Sequence, residues 1–383
     1  MVMAVILIGV FAITGCGQQT EKSPAGTDSD VIKIGVYEPL TGASAAGGQM
    51  TLEGIKLANE MYPEVLGKKI ELVIEDNKTD KTEAANAVSR LIEKHEVSAI
   101  IGSYGSSLSM GGGPVARDAG VPVVGCSPTN PLVTLDNEYY FRVCFIDPFQ
   151  GKVVAKYAYE SLGAKTAAII MDASNDYSVG LSNFFKKAFI EFTGDENCIV
   201  AELKYKTGDQ DFTGQLTSIK ELKPDVVFAP GNYGESAILI KQARELGIES
   251  VFMGGDTWEA PEFLDIGEAA VEGAIFSTHY TEEAPVTEVS GEFLKAFKEK
   301  YSGNEANAFA ALGFDAYLVV RDAIERAGSA DPQAIRDALA ETKGFKGATG
   351  IITLDENGDA EKSAVIKKVE GGKFVFVGVV DPE

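Results

Sequence analysis

The chain has 383 residues, 45% of them hydrophobic and 24% charged, which is the composition of a globular protein long enough for two domains. Its formal net charge of −23 argues against nucleic acid or an anionic lipid surface as a partner, because both need clustered Lys and Arg.

The first segment is a short apolar run that ends just before a cysteine. Residues 2–13 are apolar apart from Gly9, which is too short to span the roughly 30 Å hydrocarbon core but suits a signal peptide. The small residues before Cys16 resemble the bacterial lipobox, whose cysteine is lipidated and becomes the mature N-terminus. The alternative is ordinary cleavage with Cys16 incidental, and no Lys or Arg precedes the run.

We therefore predict a signal peptide over residues 1–15 and a lipidated, flexible tether over residues 16–30, which are rich in small and polar side chains. No later stretch is long and apolar enough to cross a bilayer. The body of the protein is expected outside the cytoplasm, held to the cell membrane by the lipid alone.

From residue 31 onward, short β-branched runs alternate with amphipathic segments. Strands are predicted over residues 31–37, 69–75, 99–101, 121–124, 166–171, 199–203, 226–229 and 251–253, with helices between most of them. Strands that alternate with helices of ten or more residues indicate βαβ units and parallel sheets. The predicted fold class is α/β, with parallel sheets in two lobes.

The final third is different, because three helices follow one another over residues 290–301, 306–327 and 332–342. A helical block without a sheet of its own must pack on a sheet already made, so we expect the chain to return to the first lobe. The first lobe is predicted over residues 31–147 and 278–353, and the second over residues 148–277 and 354–383. Three hinge crossovers near Asp147, Thr278 and Thr353 would join them.

Ligands of parallel sheets bind beyond the carboxyl ends of the strands, and polar, glycine-rich loops stand there in both halves. Residues 102–107 (GSYGSS) and 125–131 (GCSPTNP) supply hydroxyls and a helix N-terminus that could converge on one carboxylate. Residues 172–178, 230–235 and 254–258 follow strands of the second half, and the last of these contains Asp256. Each serine loop could instead be a helix cap, and Asp256 a turn aspartate.

The ordered segments IGVYEPLTG, GSYGSS, SPTNP, FRV, PGNYGESA and GGDTW resemble those of the branched-chain amino-acid-binding proteins of ABC transporters, from residue 31 nearly to the end. The resemblance implies the periplasmic-binding-protein type I fold, in which two Rossmann-like lobes close on a ligand. It implies that Ser106 holds the ligand carboxylate, that Ser127 acts through its backbone and that Thr129 helps hold the zwitterion. Tyr177 matches a rim tyrosine, and Asp256 takes the place of an acid that pairs with the ammonium.

Three positions depart from that family pattern. Gly47 replaces an aromatic residue that often lines the side-chain pocket, Gly105 stands where some relatives carry a bulkier residue, and Asn232 stands where tyrosine is common. Tyr104, Gly105 and Asn232 are expected to contact the ligand. Because these departures alter the shape of the pocket, the resemblance does not imply specificity for leucine. The ligand is expected to be a free α-amino acid, with an aliphatic side chain as the first choice.

An enzyme is the main rival class, but the chain has no G-x-S-x-G elbow, phosphate loop or G-x-G-x-x-G motif. His95 and His279 stand far apart and are expected to be surface or packing residues. Beyond Cys16, Cys126, Cys144 and Cys198 are an odd number, so buried free thiols are favoured, although a Cys126–Cys144 bridge stays open.

No cofactor or metal is expected, and the predicted partners of a monomeric protein are its ligand and the permease of an ABC importer. The alternatives are the same fold binding an aromatic amino acid, an amide or a urea-like solute, or serving as the ligand-binding partner of a sensor.

Overall fold

The first lobe is built on a six-stranded sheet. In the computed structural model, which describes residues 30–302 and 304–382, its strand order is β2-β3-β1-β4-β5-β6, parallel except for the short edge strand β2. Its strands are β1 (Val31–Glu38), β2 (Glu64–Val65), β3 (Lys68–Asp76), β4 (Ala99–Ile101), β5 (Val123–Gly125) and β6 (Tyr140–Arg142), and its helices are α1 (Ala45–Met61), α2 (Lys81–Glu93) and α3 (Ser106–Asp118). The central strand β1 is buried over most of its length, as a strand covered on both faces must be.

Local sequence sets where these helices begin. The carboxylate of Asp80 accepts hydrogen bonds from the backbone N–H groups of Thr82 and Glu83, so Asp80 caps the start of α2. Helix α3 begins at Ser106, with Gly105 at φ +89° immediately before it. Ser106 therefore stands at a helix N-terminus, where backbone N–H groups lack intrahelical partners.

The second lobe is built on a seven-stranded sheet, which has β14 (Ala364–Glu370) and β15 (Lys373–Val380) along one edge. Its strand order is β15-β14-β11-β10-β9-β7-β8. Its parallel part comprises β7 (Ala167–Asp172), β8 (Ile199–Tyr205), β9 (Val226–Phe228), β10 (Val251–Gly254) and β11 (Ile275–Thr278), connected by α5 (Asp176–Thr193), α6 (Thr213–Leu222), α7 (Tyr233–Glu245) and α8 (Pro261–Gly267). Helix α4 (Asp147–Lys156), extended by a π-turn over Tyr157–Ser161, leads into this lobe and packs on α5.

The three late helices pack on the first lobe. Helices α9 (Glu288–Lys300), α10 (Ala308–Ala327) and α11 (Pro332–Ala340) share one apolar core with β1 and α1. Helices α1 and α10 cross at two glycines: a Cβ on Gly54 would lie 1.8 Å from the carbonyl oxygen of Ala310, and one on Gly313 would lie 2.2 Å from that of Thr51. A hairpin of β12 (Phe345–Gly347) and β13 (Gly350–Ile352) follows.

The chain then returns to the second sheet, where β14 (Ala364–Glu370) and β15 (Lys373–Val380) form an antiparallel edge beyond β11. The second sheet is therefore mixed rather than purely parallel. Strand β14 runs antiparallel to β11, and the tight Gly371-Gly372 turn joins it to β15 as an antiparallel hairpin. The predicted α/β fold with two lobes is confirmed. Within the described residues, no helix is both long and apolar enough to cross a membrane, and the predictions for Cys16 and residues 1–29 lie outside those residues.

Candidate functional site

A cavity of about 380 Å³, called the central cleft below, opens between the two lobes at the carboxyl ends of their parallel strands. Its lining combines the loop before α3 and the loop after β5 with the loops after β7, β8, β9 and β10. Seven of the eight predicted ligand-binding residues line it: Tyr104, Gly105, Ser106, Ser127, Tyr177, Asn232 and Asp256. The eighth, Thr129, is fully buried and follows Ser127 on the same loop.

The first-lobe wall carries hydroxyl groups whose protons are not used in hydrogen bonds within the described protein. The backbone N–H of Asn130 donates to Ser106 Oγ at 3.1 Å, which leaves the Ser106 proton for another acceptor. The hydroxyls of Ser127 and Thr129 are buried and have no hydrogen-bond partner among the described residues. Buried polar groups usually find a partner, so this wall is suited to an oxygen-rich anion beside the N-terminus of α3.

The second-lobe wall is centred on the carboxylate of Asp256, which is 1% exposed. Gln150 Nε2 and the Tyr177 hydroxyl donate to its Oδ1 at 2.9 and 2.8 Å, and His279 Nε2 lies 3.1 Å from its Oδ2. Each carboxylate oxygen accepts about two hydrogen bonds. Oδ2 therefore keeps one acceptor position for a donor from outside the protein.

Gly255 is required for this convergence. A Cβ on Gly255 would lie 2.1 Å from the Tyr177 hydroxyl and 2.9 Å from Gln150 Nε2. Any larger residue would push both donors away from Asp256, so steric space requires glycine at the position before this acid.

The surroundings of Asp256 favour its ionised form. Burial alone raises the pKa of this carboxyl, but the hydrogen bond and charge of His279, followed by the hydrogen bonds of Gln150 and Tyr177, outweigh burial and bring the pKa below its usual value. The wall therefore carries a fixed negative charge at neutral pH.

A second buried carboxyl, Asp147, lies close enough for its charge to interact with that of Asp256. It is the first residue of α4, is fully buried, and neither carboxyl oxygen has a hydrogen-bond partner among the described residues. Burial raises the pKa of Asp147 to about 8, and the charge of Asp256 adds to this rise. A cation bound near the two acids would favour the ionised form of Asp147.

Tyr104 takes up the space that Gly47 vacates. A Cβ on Gly47 would lie 2.3 Å from Cε2 of the Tyr104 ring, so a larger residue there would displace the ring. The Tyr104 hydroxyl donates to Asn232 Oδ1 at 3.1 Å, and its ring meets Phe309 edge-on with centroids 4.9 Å apart. Tyr104 and Asn232 thus form one wall of the cleft.

Direct hydrogen bonds join the two lobes at both rims of the cleft. On one rim, the backbone N–H of Asp176 donates to Ser107 Oγ at 2.9 Å, and Asn130 Nδ2 donates to the carbonyl of Asp176 at 2.8 Å. On the other rim, the Tyr233 hydroxyl and Asn232 Nδ2 donate to the carbonyl of Ala43 at 3.0 and 3.2 Å. The lobes are therefore in a closed arrangement.

Behind the first-lobe wall, the fully buried Arg142 supports the loop that carries Ser127 and Thr129. Its Nη1 donates to the carbonyls of Pro128 and Asn130, both at 2.7 Å, and its Nε donates to Asp359 Oδ1 at 2.6 Å. One guanidinium thus fixes two carbonyls of a ligand loop, using the fork geometry particular to arginine.

Three residues of the second-lobe wall and its surroundings were not among the predicted site residues. His279, expected as a surface or packing residue, does stack on Phe145 but also contacts Asp256. The sequence does contain a signal for His279 as a site residue, because this residue immediately follows β11. Gln150 and Asp147 lie on α4, away from any strand end, and no local pattern marks them.

The other histidine and the three cysteines of the described chain do not line the central cleft. His95 Nε2 faces Glu75 Oε1 at 3.6 Å on the first lobe. Cys126, Cys144 and Cys198 are free and buried, and burial raises the pKa of the Cys144 thiol to about 12. No group of three or more His, Cys, Asp or Glu side chains in the described part of the chain could hold a metal ion.

Comparison with known proteins identifies relatives along the whole described chain. The sequence profile of a family described as periplasmic binding protein matches residues 31–373. A leucine-binding protein, LivK, from Thermotoga maritima is 46% identical, with a TM-score of 0.89 over 92% of this chain and 99% of that one. LivJ from Streptococcus pneumoniae, a branched-chain amino acid transporter substrate-binding protein solved with isoleucine, is 32% identical, with a TM-score of 0.86 over 92% and 100%. A Leu/Ile/Val-binding protein homologue from Brucella melitensis is 29% identical over 90% of this chain and 93% of its own length.

Proposed function

The chain belongs to the periplasmic binding protein family, and we propose that it captures a free α-amino acid with an aliphatic side chain outside the cytoplasm and delivers it to an ABC importer. The observation that carries this proposal is the opposition of a buried, ionised Asp256 on one lobe to the hydroxyls of Ser106, Ser127 and Thr129 on the other. Leucine- and isoleucine-binding relatives support the choice of ligand.

The two walls meet the two charges of a zwitterion. An amino acid loses much of its hydration in a closed cleft, so each charge needs a partner there. The ligand carboxylate would accept hydrogen bonds from the Ser106 hydroxyl and the first turn of α3, with Ser127 beside it. The ammonium would donate to the open position on Asp256 Oδ2.

Lobe closure follows from the same geometry. A ligand that touches Ser106 on one lobe and Asp256 on the other binds the closed arrangement better than an open one, and so shifts the population toward closure. We propose that the chain bends at its three crossovers near Asp147, Thr278 and Thr353, with lobe boundaries at residues 147, 277 and 353.

We expect calorimetry to show L-leucine, L-isoleucine or L-valine binding at least about tenfold more tightly than N-acetyl-leucine and leucine methyl ester, because each blocked form leaves one wall with an unpaired buried group. Small-angle X-ray scattering of the same samples should show a smaller radius of gyration with the free amino acid. Ligand recovered after incubation should have an unchanged mass, since we infer a binding protein without catalytic activity. Equal affinity for the blocked forms, or tighter binding of an amide or a simple aromatic acid, would refute the amino-acid assignment.

We further propose that Cys16 is the lipidated N-terminus of the mature protein. The support is the apolar run of residues 2–13 followed by Thr14-Gly15-Cys16, together with a family whose members act outside the cytoplasm. Intact-mass analysis of protein extracted from membranes should show residues 1–15 absent and acyl mass added. Cys16→Ser should release the protein from the membrane fraction or leave it unprocessed. A wild-type protein that is soluble and begins at another residue would contradict the proposal.

A further inference from the structure

A buried carboxyl group lies behind the loop that carries the first-lobe ligand donors. Glu38 is the last residue of β1, the central strand of the first sheet, and it is fully buried. It does not line the central cleft. Its Oε2 accepts a hydrogen bond from the backbone N–H of Tyr104 at 2.6 Å. Because Tyr104 stands two residues before Ser106, Glu38 contacts the ligand loop from the interior of the lobe.

The loop before α3 is held by buried side chains at three successive residues. The carbonyl of Gly102 accepts a hydrogen bond from the Tyr140 hydroxyl at 2.7 Å, and Ser103 Oγ accepts one from Asn77 Nδ2 at 2.9 Å. Tyr104 comes next and is the first residue of the loop to line the cleft, and a carboxyl group accepts its N–H. Of these three bonds, the one to the carboxyl group is therefore nearest along the chain to the residues that face the ligand.

The bond from Glu38 constrains two parts of the site at once. Along the chain, Tyr104 is followed by Gly105 at φ +89° and then by Ser106, the first residue of α3. Through its side chain, Tyr104 donates to Asn232 Oδ1 of the second lobe at 3.1 Å. One acceptor behind the loop thus fixes the backbone that leads to the carboxylate donors and a residue that touches the opposite lobe.

Burial of this carboxyl group costs free energy, because only one of its oxygens is paired. Glu38 Oε1 is buried and has no hydrogen-bond partner among the described residues, and burial raises the pKa of Glu38 to about 8. A Cβ on Gly102 would lie 3.2 Å from Oε1, so the group is packed closely under the loop. A buried polar group with an unpaired atom calls for an explanation, and fixing the ligand loop provides one.

We propose that Glu38 is a positioning residue for the ligand carboxylate. By accepting the Tyr104 N–H, it holds Ser106 and the first turn of α3 in the orientation that receives this carboxylate before the ligand arrives. Glu38 itself touches no ligand atom. The loop is ordered when the protein folds, so binding does not have to order it. This inference rests on the proposed function, because it needs a ligand with a free carboxylate.

The test is calorimetry at pH 7 with L-leucine, leucine methyl ester and N-acetyl-leucine. Glu38→Met removes the acceptor but keeps a side chain of similar length, which leaves the Tyr104 N–H unpaired. The variant should bind leucine roughly tenfold more weakly and the methyl ester almost as well as the parent does. N-acetyl-leucine keeps its carboxylate, so its affinity should fall by the same factor as that of leucine. The preference for the free carboxylate is then lost, whereas the preference for the free ammonium, which depends on Asp256, is kept.

Two matched variants separate positioning from a general loss of stability. Glu38→Gln keeps an oxygen that can accept the Tyr104 N–H, and it should bind all three compounds like the parent. Asp315→Leu removes another fully buried carboxyl group of the first lobe, one that accepts the backbone N–H groups of Ala348 and Thr349 away from the cleft. It should lower the free energy of unfolding without changing the ratio of leucine to methyl-ester affinity. If Asp315→Leu changes this ratio as much as Glu38→Met does, or Glu38→Met leaves it at the parent value, the inference is overturned.

NMR provides a measurement that needs no substitution at Glu38. In protein labelled with ¹⁵N-tyrosine, the Tyr104 amide is identified as the signal that Tyr104→Phe removes. Its proton should resonate downfield and exchange slowly with water in the ligand-free protein, as expected for a short, buried hydrogen bond. An amide that exchanges rapidly until leucine is added would show that the ligand orders the loop, and it would refute a positioning role for Glu38. If the parent binds neither leucine nor another aliphatic amino acid, it is the proposed function that fails.

Discussion

Asp256→Asn is expected to weaken amino-acid binding by about 2–5 kcal/mol, roughly one and a half to three and a half powers of ten in Kd. The side chain keeps its shape, but the amide has no charge to oppose the ligand ammonium in a site that is closed to water. The donors from Gln150, Tyr177 and His279 would also face a weaker acceptor. Calorimetry with L-leucine measures the change directly.

Two further variants provide reference values for the loss of affinity. Ser106→Ala should cost less, about 1–3 kcal/mol, because it removes one hydroxyl donor while the backbone donors at the start of α3 remain. Asp265→Asn, an exposed acid on α8 of the same lobe, should leave the affinity unchanged. If Asp256→Asn binds leucine as tightly as the parent, the assignment of the ammonium to this wall is wrong.

Much of this arrangement could be predicted from the sequence, because parallel strands present their carboxyl ends at one edge of a sheet. Ser106, Ser127 and Asp256 each follow a buried strand within a few residues, and the structure places all three on the central cleft. The same rule applied to β11 identifies His279, the residue immediately after that strand. From the sequence, His279 is expected to be a surface or packing residue, because it stands far from the only other histidine, His95.

Other parts depend on contacts that no local pattern contains. Gln150 reaches Asp256 only because α4 packs beside β11 and because Gly255 leaves room for its amide. The fit of the Tyr104 ring over Gly47 depends on how α1 lies against the loop before α3. Gly47 alone suggests an enlarged pocket, whereas the structure fills that space with an aromatic ring from a different segment.

The buried Arg142 illustrates a long-range constraint of the same kind, because Asp359 lies 217 residues further along the chain. Its Nε, Nη1 and Nη2 donate to Asp359, to two carbonyls of the loop carrying Ser127, and to the Thr134 hydroxyl at 2.9 Å. The segment after β13 thus holds a ligand loop of the first lobe in place. Loss of the guanidinium would leave two loop carbonyls without their donor. The Asp359 carboxylate would lose its cationic partner and keep only the hydrogen bond from the Thr134 hydroxyl.

Arg142→Met is accordingly expected to lower the free energy of unfolding by about 3 kcal/mol, near the lower end of the range for breaking a buried ion pair, because the Asp359 side chain retains 11% exposure to water. Arg142→Lys should fall between parent and Met, since an ammonium keeps the charge but cannot span all four acceptors. Urea denaturation measures these changes, with Arg117→Met as the control, because Arg117 pairs with Asp118 at an exposed site where such pairs contribute little. A loss no larger in Arg142→Met than in Arg117→Met would show that the loop carrying Ser127 and Thr129 is held by other contacts. In that case, Arg142→Met should also bind leucine like the parent.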